Sequence, residues 1–135
     1  MRVSFPFEFQ ATGVFGVIRR PVADVNFWSM ELNNWVPIKM IVDTGADYTL
    51  LPLWLQSKLG MDLKRDCKRF KTSGVGGEQW VYLVSKRWKI KIGEWEENIT
   101  LGFLNDNLVP PLLGRSHCLE RIKVSFEDFM TTFGD

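Results

Sequence analysis

Residues 40–51 read MIVDTGADYTLL, and the fold turns on how this stretch is understood. A glycine-bearing acidic turn, Asp43-Thr44-Gly45-Ala46-Asp47, separates two apolar runs. Residues 35–42, WVPIKMIV, lead into it as a strand that grows more apolar, and residues 48–51 leave it as a second strand. A carboxylate at the end of an apolar strand is costly to desolvate unless it is paired or put to use. Two readings fit the tripeptide alone: an ordinary Asp-initiated turn with Gly supplying a positive φ, or an acid positioned for chemistry.

Working outward, the periodicity is mostly that of strands. Phe5, Phe7 and Phe9 alternate with polar or small residues, as in a half-buried strand. Residues 79–92, 97–104 and 121–127 add further candidates. Gly76-Gly77, Gly93 and the run 105–107 punctuate them as turns. Two short helices are expected. One spans the segment that Pro52 opens and Gly60 stops, and the other follows Gly114 over residues 115–120. The basic run 58–71 holds six Lys or Arg against two Asp and suits a solvated loop or an edge strand. The whole reads as one all-β domain over residues 1–135.

Composition narrows the function. A net charge of +1 gives no broad attraction to nucleic acid or membrane, and neither is expected as a partner. No uncharged stretch reaches the ~20 residues of a membrane span, and the N-terminus lacks a signal peptide's unbroken apolar core. Cys67 and Cys118 form no metal spacing and fit reduced thiols, so a cytoplasmic location is expected. With His117 as the single histidine, neither a metal site nor a Ser/His or Cys/His hydrolase is supported. No cofactor or metal is expected.

Three segments in order carry a family resemblance: Asp43-Thr44-Gly45-Ala46, Ser73-Gly74-Val75-Gly76-Gly77, and Leu112-Leu113-Gly114-Arg115-Ser116. They resemble the catalytic loop, the glycine-rich flap tip and the apolar-apolar-Gly segment of retropepsin-like, single-domain aspartic proteases. The resemblance is strongest over residues 35–127. It implies a closed acid-protease barrel with one or two short helices, active as a homodimer. It also implies hydrolysis of an extended peptide or protein substrate by water held between two carboxylates. The chain has no second Asp-[Ser/Thr]-Gly among its other seven aspartates. The second carboxylate must therefore be Asp43 of another copy, placed by a two-fold axis.

The same comparison distributes roles. Asp43, Thr44 and Gly45 form the catalytic turn, with Thr44 bonding across the axis. Ala46 and Asp47 border the substrate, and Asp47 pairs with Arg115 to hold the loop. Gly74, Val75, Gly76 and Gly77 form the flap tip, while Val109, Pro110 and Leu112 wall a pocket for apolar side chains. A retropepsin-fold module that binds peptides or dimerises without cutting them is the alternative. The ending departs from the viral pattern, in which both termini weave into a dimer sheet. Phe126, Phe129 and Phe133 are the candidate interface anchors here, and Met1 without flanking domains favours a free-standing protein.

Overall fold

A computed structural model of the chain describes residues 1–14, 16–74, 77–106 and 109–135. It is mostly β. The strands are β1 (Arg2–Pro6), β2 (Glu8–Thr12), β3 (Gly16–Arg20), β4 (Val22–Ser29), β5 (Asn34–Val42), β6 (Thr49–Pro52), β7 (Cys67–Gly74), β8 (Gly77–Val84), β9 (Trp88–Ile92), β10 (Trp95–Ile99), β11 (Leu101–Leu104), β12 (Leu112–Leu113), β13 (Val124–Glu127) and β14 (Met130–Gly134). One α-turn, α1, spans Leu63–Asp66, where the Asp62 carboxylate accepts from the Lys64 and Arg65 N–H groups.

Nine strands form one sheet in the order β10-β9-β4-β5-β12-β6-β11-β8-β7. Among the described residues no pairing joins β10 to β7, so the sheet keeps two edges where a closed barrel was expected. The β7 edge is blunted by Lys68, Arg69 and Lys71, which accounts for three of the six cations of the basic run. A three-stranded sheet, β1-β14-β13, and a separate β2-β3 hairpin complete the fold.

Period-two burial decides which faces meet. In β5, Val36, Ile38, Met40 and Val42 point inward and their neighbours outward. Opposite them, Val25 pairs with Ile38 and Phe27 with Val36. Phe27, Met40, Leu51, Ile90, Ile92, Phe103 and Phe133 are wholly buried. The buried Ser29 hydroxyl is satisfied by donating to the Lys58 carbonyl and accepting from Leu32 N–H.

Several boundaries differ from expectation for physical reasons. The helix expected after Pro52 shrinks to a 3-10 turn over Leu53–Leu55. Leu59 O is claimed by Met30 N–H at 2.9 Å, and Gly60 takes φ +76° against the backbone of residue 31. Residues 115–119 make a wide turn interrupted at Ser116 and His117, not a regular helix. The segment 97–104 breaks at Thr100 because β10 pairs with β9 while β11 pairs with β6 and β8. Phe133 proves to be core rather than an interface anchor, since β14 buries it completely.

Candidate active site

The acidic loop is held between three strands. β12 lies parallel to β5, with Leu112 opposite Ile41 and Leu113 opposite Val42, and antiparallel to β6 through Leu50. The ends of the loop are therefore tied to one short central strand. Asp43 N–H donates to the Leu113 carbonyl at 3.0 Å, and Arg115 N–H to the Ala46 carbonyl at 3.0 Å. Ser116 N–H donates to the Asp47 carbonyl at 2.8 Å. Buried Thr49 accepts from Gly114 N–H at 3.1 Å.

Within the loop, Asp43 is half-buried and Thr44 and Gly45 are exposed. Gly45 N–H donates to Asp43 Oδ1 at 2.9 Å, and Ala46 N–H to the Asp43 carbonyl at 3.2 Å. The carboxylate is thus oriented by the turn that it opens. A side chain at position 45 would lie 3.3 Å from that same oxygen, so Gly45 leaves the acid room to be reached.

Arg115 spans the loop. Its Nη1 donates to the Thr44 carbonyl at 3.2 Å and its Nη2 meets Asp47 Oδ1 at 2.5 Å. The Asp47 side chain is 80% exposed, so the ion pair alone contributes at most about 1 kcal/mol. Its effect is geometric, clamping two points of the turn at once.

A cleft of about 690 Å³ opens against the end of β5 that leads into this loop. Its lining includes Ile41, two residues before Asp43, together with Met40, Val22, Arg20, Phe9 and Pro110. Asp43 itself is not in the lining. Of the expected wall residues, Pro110 lies in the cleft, while Val109 and Leu112 are half-buried nearby in sequence. Phe9, Arg20 and Val22 were missed by sequence reasoning. Only the long-range pairing of Val22 with Ile41 brings them here, and no local motif marks it.

An aspartyl protease family profile matches residues 28–117, which contain the loop, β12 and Arg115. The chain belongs to the aspartyl protease family. Its structure also matches the crystal structure of a retropepsin-like aspartic protease from Rickettsia conorii with a TM-score of 0.67. The two are 25% identical, and the match covers 98% of each chain. Among curated proteins, none matches.

Two other features of this retropepsin-like protease bear on the expected site. β7 and β8 form a long hairpin, with partners running from Cys67 and Val84 to Gly74 and Gly77. Val75 and Gly76, expected at its tip, lie outside the described residues. His117 sits at φ +60° with Nδ1 2.8 Å from Thr100 Oγ1 and 3.2 Å from Ser116 Oγ.

Burial pushes the Cys118 thiol up to about 12, with Glu97 adding to the effect, and Cys67 to about 11. Both thiols stay protonated at neutral pH and are poor nucleophiles. Below pH 9 the folded and unfolded thiols are both protonated. Between about pH 9 and 12 the unfolded chain releases its protons first, so stability falls as pH rises. Thermal melts of Cys118→Ala across that range should show a shallower alkaline decline than wild type; equal slopes would refute the assignment.

Among the described residues, no His, Cys, Asp and Glu group suited to a metal occurs, and no helix is long and apolar enough to cross a membrane.

Proposed function

We infer that the protein is an aspartic endopeptidase whose active site is completed by a second copy of the same chain. The observation that carries this reading is the loop itself. It offers one half-buried, backbone-oriented carboxylate, Asp43, while the other acid, Asp47, is engaged by Arg115. Peptide hydrolysis by activated water needs an acid and a base together. An isologous dimer supplies both by placing Asp43 twice about its axis.

In that arrangement two like charges resist ionising together, so the pair holds one proton. The ionised Asp43 takes a proton from a bound water, which attacks the scissile carbonyl. The protonated Asp43 of the other copy donates to the carbonyl oxygen. A proton then passes to the leaving amine as the C–N bond breaks. Thr44, exposed beside the acid, bonds to the facing loop in this reading. Gly45 and Ala46 offer backbone to an extended peptide, with Asp47 at its border. Val109, Pro110 and Leu112 wall an apolar pocket. The β7–β8 hairpin, which reaches to Gly74 and Gly77, serves as the flap that excludes water. The protein works on peptides in the cytoplasm, without cofactor.

Activity should depend on concentration. Specific activity on a peptide library, followed through serial dilution, should fall through the dimer dissociation constant and recover on reconcentration. Constant specific activity from a chain shown by sedimentation to be monomeric would overturn the shared-site reading. A protein that dimerises and binds peptides but leaves them intact would instead be a binding module.

A further inference from the structure

The geometry points to one aromatic face, built by the β2–β3 hairpin and the β13–β14 turn, as the surface through which a second copy seals the dimer. The inference rests on the reading of Asp43 as half of a two-fold site. Among the described residues β2 and β3 pair only with each other, and seven of their ten residues are exposed. A lone two-stranded hairpin is marginal in water. This one nevertheless displays Phe9 at 65% and Val17 at 64% exposure.

An independent observation comes from the facing turn. Asp128 and Phe129 connect β13 to β14 with φ of +51° and +57°. Two consecutive left-handed residues suit Asn-Gly, whereas a bulky side chain there is strained. The strained residue is an aromatic that stays 56% exposed, and strain of this kind collects where a side chain must be presented. Phe129 and half-exposed Phe126 both meet the Phe7 ring edge-on, at 6.1 and 6.3 Å between centroids. The Arg19 guanidinium bridges the two elements, 3.9 Å from the Phe129 ring and 4.9 Å from Phe9. Aromatic side chains around an arginine are what the centres of protein interfaces favour.

Three features single out a second copy as the occupant. The terminal strands are already used within the chain, since β14 pairs with both β1 and β13. β14 therefore has no free edge to exchange with a second copy. Phe9 lines both this face and the cleft that reaches Ile41, two residues before Asp43. The face also carries both signs of charge, Arg19 on the hairpin and Glu127 and Asp128 at the turn. An isologous contact must be complementary to itself, and a face with both signs meets that need.

Val17→Ser and Phe129→Gly test the face, with Asp43→Asn as reference. Sedimentation over a dilution series should show the dimer dissociation constant raised about tenfold or more by each, because every substitution acts twice in a two-fold interface. Cleavage should be lost at low concentration and return at high concentration with kcat unchanged. Phe129→Gly relieves the left-handed strain, so the diluted monomer should melt no lower than wild type; a purely structural turn would move only that melting temperature. Asp43→Asn should dimerise like wild type. Wild type that dimerises while both face variants keep its dissociation constant overturns the face and leaves the shared site standing. A wild type monomeric at every concentration overturns the face and the shared site together.

Discussion

Asp43→Asn should lose peptide cleavage by about a thousandfold or more, the scale at which general acid–base catalysis operates. The fold should hardly respond. Asn keeps an Oδ1 where Gly45 N–H now donates at 2.9 Å, so the turn retains its internal bond. Stability should stay within about 0.5 kcal/mol of wild type, as for a shape-preserving change away from the core. Mixing gives a sharper result than the variant alone. If both carboxylates are needed and chains exchange freely, only dimers of two wild-type chains cut. An equal mixture then retains about one quarter of the activity of an all-wild-type sample at the same total concentration. A site contained in one chain would retain about one half. Measuring activity against the fraction of variant chain, after time for exchange, separates a quadratic fall from a linear one. A linear fall would show that Asp43 acts without its twin, whatever the oligomeric state.

Such a test can be designed because the chemistry lies in a contiguous stretch. Asp43, Thr44 and Gly45 were legible because an apolar strand, an acid and a glycine follow each other in sequence. Leu112, Leu113 and Gly114 were legible for the same reason. What joins the two segments is non-local. Leu112 sits between Ile41 and Leu50, a crossing of parallel and antiparallel neighbours that no local pattern encodes. The cleft beside the loop was harder still, since Phe9 and Arg20 reach it through a hairpin whose strands show little burial contrast. Phe126, Phe129 and Phe133 looked alike as exposed aromatics of a tail. They part company because β14 turns back along β13 and β1, burying Phe133 and leaving the other two outside. The break at Thr100 had no Gly or Pro to announce it, because its cause is a change of partner strand.

Gly114 is where the non-local join is tightest, and Gly114→Ala should be among the most destabilising single changes. Its φ of −102° and ψ of −171° are extended values open to any residue, so backbone freedom is not the reason for glycine. Space is the reason. A Cβ there would lie 2.4 Å from both the carbonyl carbon and the oxygen of Tyr48. These are backbone atoms at the start of β6 and cannot rotate away as a side-chain end would. Their neighbour Thr49 is buried and accepts from Gly114 N–H, so a shift of either segment also strains that bond. Overpacking of this kind costs about 3 kcal/mol. In a chain of this size that lowers Tm by roughly 10 °C. Gly45→Ala provides the contrast, because its Cβ would meet only the Asp43 carboxylate, at 3.3 Å. That variant should melt near wild type and cleave poorly, since the methyl displaces the acid and not the frame. Calorimetry and cleavage assays on both variants separate frame from acid. If Gly114→Ala melts within a degree or two of wild type, the contact between β12 and the acidic loop is looser than these distances require, and the loop's orientation must come from Arg115 instead.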